Sequence, residues 1–120
     1  MNKDSKIFVA GGIGLVGSAI IRNLINRGYQ NIVASYRNRK PSSDMLAGDK
    51  TRFVRLDMMD KNAVNSFFKH EKPEFVYLAA AKVGGIVANS KYRADFIYEN
   101  LQIQNNTIYA AYKNDLGRVF

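Results

Sequence analysis

The stretch IFVAGGIGLVGSAI, residues 7 to 20, constrains this chain more tightly than any other. A short apolar run bounded by glycine reads as a buried strand, and Val16, Ala19, Ile20 and Leu24 then recur at helical spacing. Between the two runs stand Gly11, Gly12, Gly14 and Gly17. A strand that turns directly into a helix through glycines leaves backbone amides unblocked, with the helix N-terminus aimed at whatever lies in front of it. That suits a diphosphate. The glycines fit two registers, Gly11-x-x-Gly14-x-x-Gly17 and Gly12-x-Gly14-x-x-Gly17. In either register Gly17 falls one turn into the helix, where a side chain would hold helix and strand apart. The alternative is a tight strand-to-helix turn with no ligand.

The rest of the chain repeats this alternation. Strands are predicted at 6–10, 31–35, 52–56 and 74–78, and GRVF at the end reads as the beginning of a fifth. Helices are predicted at 15–27, closed by Gly28, at 61–70, entered at Asp60 and left at EKP, and at about 92–114. On the last, Ile97, Leu101, Ile108 and Ala111 are expected to share one buried face. Residues 37–50 are polar, carry Pro41 and Gly48, and read as a loop with at most one helical turn. Strand–helix alternation gives an α/β fold, a doubly wound parallel sheet of Rossmann type with strand order 3-2-1-4 and the start of strand 5. A central apolar fifth strand that stops at Phe120 would leave an unpaired edge. Residues 1–120 are therefore expected to be the N-terminal part of a dinucleotide-binding domain whose catalytic and substrate-binding parts lie further on.

Composition narrows the function classes. At 120 residues a single core is expected, and no segment approaches the roughly 20 apolar residues of a membrane span. The first residues, MNKDSKIFVAGG, lack a secretory leader's apolar core and cleavage site, so a cytoplasmic protein with no membrane partner is expected. With no cysteine there is no disulfide, thiolate nucleophile or thiolate metal site, and no metal site is expected at all. The formal charge of +8 invites a nucleic-acid reading, but apart from YRNRK at 36–40 the positives are scattered. A small polyanionic ligand fits them better than a nucleic acid does.

The ligand's identity is written at the end of strand two. NAD sites place an acid about 20 residues past the glycines, on the ribose 2'-hydroxyl. Here the stretch is Ser35-Tyr36-Arg37-Asn38-Arg39, with no acid and two guanidinium groups suited to a 2'-phosphate. NADP is the expected coenzyme, with Arg37 and Arg39 as phosphate ligands; the plainer alternative is two solvated arginines. Gly11, Gly12, Ile13 and Gly14, with Leu15, Val16 and Gly17 of the first helical turn, would supply the pyrophosphate contacts. Asp57 could accept from the adenine amino group with Met58 against the ring, or simply serve a turn. Ala79, Ala80 and Ala81 would leave room for a flat ring and ribose at the switch point, although close packing against a helix needs the same small residues. Lys82, with Val83 and Gly84, would line the coenzyme or substrate site, or stand exposed in a flexible loop. His70, near a helix C-terminus, reads as a surface residue.

These residues carry a resemblance. The loop GGIGLVG, LD at 56–57 followed by MMD, and YLAAA resemble the nucleotide-binding half of the extended short-chain dehydrogenase/reductases, which selects the Gly11-x-x-Gly14-x-x-Gly17 register. Residues 76–115, with AAAKVGGI and ADFIYEN, are similar in particular to the GDP-L-fucose synthases, NADPH-dependent GDP-4-keto-6-deoxymannose 3,5-epimerase/4-reductases. The resemblance implies NADP as coenzyme, a GDP-sugar substrate and a homodimer in the full-length enzyme. It implies two epimerisations beside the 4-keto group followed by hydride delivery to that ketone. The family's serine, Tyr-x-x-x-Lys pair, cysteine and histidine would all lie beyond Phe120, so no catalytic residue is assigned within this chain. Tyr36-x-x-x-Lys40 runs into Pro41 and is not expected to be helical. Tyr109-x-x-x-Lys113 is expected at the far end of the last helix, some 25 Å from the coenzyme. Residues 37–60 depart from the family, and Gly12-Ile13 stands where the family carries bulkier polar or basic residues. Arg37 or Arg39 must therefore make the phosphate contact. The departures keep open another NAD(P)-dependent nucleotide-sugar epimerase or reductase, and a non-catalytic dinucleotide-binding module is the alternative of a different class.

Overall fold

The computed structural model describes residues 2–42, 51–80, 90–116 and 118–120. Along these the chain runs β1 (Ile7–Ala10), α1 (Leu15–Asn26), β2 (Ile32–Tyr36), β3 (Thr51–Arg55), α2 (Lys61–Glu71), β4 (Phe75–Leu78), α3 (Ser90–Lys113) and β5 (Arg118–Val119). The strands form a 5-stranded sheet in the order β3-β2-β1-β4-β5. Every pairing is parallel, with Phe8 opposite both Val33 and Val76 at the centre. The expected order is thus present, with element ends displaced by one or two residues.

A parallel sheet buries both faces, so its central strand must be apolar throughout, and β1 is. Its side chains alternate between two cores. Phe8 and Ala10 join Val33, Val76, Val64, Phe68, Ile103, Ala110 and Ala111 beneath α2 and α3. Ile7 and Val9 join Ile32, Ala34, Ile21 and Leu24 beneath α1. Phe8 meets Phe68 edge-on, ring centroids 5.6 Å apart, and Phe67 at 4.6 Å. Burial of each such ring is worth about 1.5–3 kcal/mol.

Helix ends follow the local sequence. Gly28 at φ +92 closes α1, its N–H donating to Ile25 O and that of Tyr29 to Leu24 O, the paired bonds of a left-handed glycine cap. Asp60 opens α2 by accepting from the Ala63 N–H at 3.1 Å.

On α3 the expected buried face is corrected. Ile97, Leu101 and Ile108 are exposed, and of that set only Ala111 is buried. The inward side carries Ile103, Asn106, Thr107, Ala110 and Ala111, small and polar residues among the apolar ones. Close packing on the sheet and α2 favours small residues, and the larger aliphatics mark the outer stripe. A hydrophobicity pattern alone points the helix the wrong way.

Glu71 ends α2, where the helix dipole disfavours a carboxylate. Two cations offset that: Arg52 of β3, hydrogen-bonded to Oε1, and Lys6 Nζ at 3.4 Å, just before β1. Burial alone would push the carboxyl up, but the Arg52 hydrogen bond and charge, with those of Lys6, outweigh it and leave the group below its ordinary value of about 4.5. A depressed carboxylate contributes stability above its unfolded pKa and loses it as pH falls through the folded one. Glu71→Gln should therefore lower the thermal midpoint at neutral pH, with the gap to wild type closing as pH falls below the carboxyl's ordinary value and on through its lowered one. Thermal scans across pH check this, and a gap independent of pH would refute it.

Candidate functional site

The C-terminal ends of β1 to β4 enclose a cavity of about 300 Å³. Gly11, Ile13 and Gly14 form one side, Ser35 to Asn38 and Leu56 to Met58 the far wall, and Ala79 and Ala80 the floor beside β4. It lies where the strand order reverses, between β1 with its β2 side and β4 on the other, the usual ligand crevice of an open parallel sheet.

The glycine loop is held by the end of β2. The Gly11 N–H donates to Ser35 Oγ at 3.0 Å and the Gly12 N–H to Ser35 O at 2.8 Å. Each glycine then answers a different demand. Gly11 has φ +80, and a Cβ on it would stand 2.7 Å from the Ala80 Cα. A Cβ on Gly17 would fall 1.9 Å from the Gly11 carbonyl oxygen, so α1 crosses the loop in backbone contact. Gly12 is buried and faces inward, where its Cβ would meet that of Ala34 at 2.5 Å. Gly14 differs from all three: its φ is −71, ordinary for any residue, and the nearest atom to a Cβ there is Gly11 O at 3.7 Å. Nothing within the described residues requires glycine at 14. A side chain there would instead take up space in the cavity that Gly14 lines.

Helix α1 starts at Gly14 with no side-chain cap and no acid in its first turn. Its first backbone bond runs from the Ser18 N–H to Gly14 O at 2.9 Å. The amides of Leu15, Val16 and Gly17 before it have no helical acceptor and carry the positive end of the dipole. The Leu15 and Val16 side chains are exposed and lie beside Tyr77 on the α1 face, so these two residues can serve the cavity only through backbone.

Both arginines border the loop. Arg37 lines the cavity, its Nε 3.7 Å from Asp57 Oδ2. Arg39 Nη2 donates to Ile13 O at 3.0 Å, bridging the end of β2 to the glycine loop. Asp57 serves a turn, its Oδ1 accepting the Met59 N–H at 2.9 Å, and also stands on the cavity wall with buried Met58. Ala79 and Ala80 pack against the two cores and line the cavity. Ala81, Lys82, Val83 and Gly84 lie outside the described residues. Tyr36 closes β2 and lines the cavity, with Lys40 in irregular backbone before Pro41. Tyr109 lies on the outer side of α3, its ring 5.3 Å from Lys61 Nζ and 6.0 Å from Lys113 Nζ.

Loop, crevice and basic rim together define a dinucleotide-type site, and residues 7–120 match the model of the NAD dependent epimerase/dehydratase family. The chain belongs to that family. Its curated relatives include GDP-L-fucose synthase 1 of Arabidopsis thaliana, 48% identical over 98% of this chain and 32% of the relative. The GDP-L-fucose synthase of Escherichia coli is 44% identical over 95% of this chain and 30% of its own length. Among solved structures, a GDP-mannoheptose C4 reductase from Campylobacter jejuni with NADP bound is 39% identical, with a TM-score of 0.77 over 99% of this chain and 32% of that one. The chain thus spans about a third of the length of the curated relatives it matches. No described helix is long and apolar enough to cross a membrane.

Sequence reasoning missed several residues that line this cavity or brace its wall. Ser35, which holds the loop, was visible as the polar end of NIVAS. Leu56 and Ile103 line the cavity from β3's end and from α3, and no local pattern marks them. Asn106 is the buried polar residue of α3 that bonds the Met58 carbonyl. Its signal is an amide on the helical face shared with Ile103 and Ala110.

Gly17→Ala should lower stability by about 3 kcal/mol or more, because the clash is with backbone that cannot swing away. Gly14→Ala should leave stability unchanged or raise it by about 0.4–1 kcal/mol. Urea unfolding of the two variants tests the contrast, and equal losses would show that Gly14 has an internal packing role after all.

Proposed function

We propose that this chain is the NADP(H)-binding segment of a GDP-sugar epimerase/reductase of the GDP-L-fucose synthase kind. The observation that carries the reading is the cavity itself: a glycine at 14 that no contact among the described residues demands, set at an uncapped helix N-terminus, with Arg37 and Arg39 in the stretch where an acid would select NAD. Relatives named for different sugars, fucose and mannoheptose, match the chain over nearly its whole length. That supports a role in what such enzymes share, the coenzyme, more than in the sugar that separates them.

In this reading the amides of the first turn of α1 hold the pyrophosphate, with Gly14 leaving room for its close approach. Arg37 and Arg39 hold the 2'-phosphate, Asp57 and Met58 meet the adenine, and Ala79 with Ala80 admits the ribose and ring. Ala81 and Lys82, outside the described residues, are assigned to the coenzyme in the same proposal. Gly12 and Gly17 act indirectly, by letting loop, helix and strands meet. The coenzyme, when bound, supplies the hydride for a sugar ketone. The groups that hold the sugar and move protons are assigned to the protein beyond residue 120, in keeping with the third of the relatives' length that this chain covers. A cytoplasmic location and a homodimer of the longer protein complete the proposal.

NADPH should bind at least about tenfold tighter than NADH, and Arg37→Ala or Arg39→Ala should reduce that preference. Gly14→Ala should weaken both coenzymes alike, its side chain entering the pyrophosphate's space. Fluorescence titration with each coenzyme measures this. Equal wild-type affinities, or a preference untouched in both arginine variants, would sink the NADP assignment. The 120-residue chain alone should reduce no keto-sugar; turnover by the purified piece would contradict the division of labour.

A further inference from the structure

Asn106 lies one helical turn beyond Ile103, which lines the cavity, and is 4% exposed on the inward side of α3. Its Nδ2 donates to Met58 O at 3.0 Å, across 48 residues of sequence. Its Oδ1 accepts from Gln102 Nε2 at 3.0 Å. A backbone carbonyl only accepts, so the Met58 contact fixes which end of the amide faces it, and Gln102 satisfies the other. A buried amide is costly unless its groups are used in this way.

The segment held is the turn after β3. Its entry is tied to β2, the Leu56 N–H donating to Tyr36 O at 2.9 Å, and Leu56 and Met58 are packed in the core. Beyond Leu56 the turn's own bonds are local: Asp57 Oδ1 accepts from the Met59 N–H, and Asp57 O from the Asp60 N–H at 3.0 Å. Asp57 also reaches across to Arg37 through a half-exposed ion pair at 3.7 Å, a contact too weak to fix a turn. The bond from Asn106 to Met58 O adds a directional tie from α3 at the far side of Asp57. Those two residues form the cavity wall beside Leu56.

We propose that Asn106 is a positioning residue for adenine recognition: from α3 it holds the Asp57–Met58 turn at the level where the turn forms the base-binding wall. The proposal rests on the dinucleotide reading above. The buried hydrogen bond, more than the aliphatic packing around it, gives the wall a single position, because an apolar residue at 106 would fill the same space without specifying where Met58 O sits. The effect falls on the adenosine half of the ligand, which NADPH and NADH share, and is separate from the 2'-phosphate selection by the arginines.

The test is titration of wild type, Asn106→Asp and Gln102→Met with 5'-AMP, NADPH and NADH, in the protein carrying this chain and at a temperature where each variant is fully folded. Asn106→Asp keeps the shape but sets an acceptor against the Met58 carbonyl. Its dissociation constants for all three ligands should rise about tenfold, with the NADPH-to-NADH ratio unchanged. Gln102→Met leaves the bond to Met58 possible but unoriented and should raise them by about threefold. A fall in thermal midpoint with unchanged 5'-AMP affinity in Asn106→Asp would mean a purely structural role and overturn the proposal. Should that variant not fold, unchanged 5'-AMP affinity in Gln102→Met overturns it instead. Wild type that binds neither 5'-AMP nor NADPH fails the dinucleotide reading itself, a result read on the unsubstituted chain and therefore distinguishable.

Discussion

The structure depends on one close approach, the start of α1 lying against the Gly11 carbonyl with no side chain between them. At Gly17 there is no room for even a methyl group, and on the other side of the loop Gly11 also lies close on the backbone of Ala80. Three backbones therefore converge at one point: the end of β1, the first turn of α1 and the end of β4. That convergence brings the unpaired amides of the helix over the sheet's edge, at the place where strand order reverses. The two arginines, the Asp57 turn and the alanine floor only acquire meaning around amides fixed in this way. The same contact explains why Gly12 is also small: with helix and loop so close to β2, its inward side meets Ala34, and a larger residue would push the loop off Ser35.

The two faces of the sheet are finished differently, and this shapes the site. Beneath α2 and α3 an extensive core of aromatic and aliphatic residues runs from Val64 and Phe68 to Ala110 and Ala111. Because that face is well packed, α3 can devote inward positions to polar work: Thr107 Oγ1 donates back to Ile103 O at 2.7 Å, and Asn106 reaches the Met58 turn. On the α1 face the core is smaller, and Phe120 stacks over Tyr77 and Phe75 at the β4–β5 side while remaining more than half exposed itself. The cavity wall is thus braced from the side that carries the larger described core.

Local chemistry made much of this legible. Glycine spacing, the continuous apolar run of Ile7 to Ala10 and the capping residues Asp60 and Gly28 are short-range signals, and they located the elements to within a residue or two. The strand order followed from the general rules for right-handed crossovers in parallel sheets. What escaped was any feature requiring knowledge of two distant segments at once. The inward face of α3 was misjudged because Ile97, Leu101 and Ile108 are apolar yet exposed, whereas the inward side is chosen by closeness to the sheet. Asn106 escaped for the same reason, since its partner is a carbonyl that only the fold brings near. The closeness that Gly17 serves was readable from its place one turn into the helix, but the separate duties of Gly11, Gly12 and Gly14 were beyond the sequence, which shows the residue type and not the neighbour that would clash.

That last distinction changes how a glycine-rich loop should be weighed. Three of these four glycines are accounted for by the protein's own packing, so a loop of this spacing would persist in a domain that had lost its ligand. Gly14 differs, because among the described residues an alanine there meets no atom closer than 3.7 Å, and the backbone conformation is ordinary. Glycine there loses more conformational entropy on folding than alanine would, on the order of 0.5–1 kcal/mol, with no contact among the described residues to offset it. The arginines point the same way. Arg37 is held by a half-exposed ion pair and Arg39 by a neutral carbonyl, contacts worth on the order of 1 kcal/mol or less each, so either guanidinium can turn to a stronger anion at small cost. A glycine at 14 with no close neighbour among the described residues, Arg37 lining the same cavity and Arg39 bonded to the loop are features that folding alone does not require, and they are what the proposed phosphate site rests on.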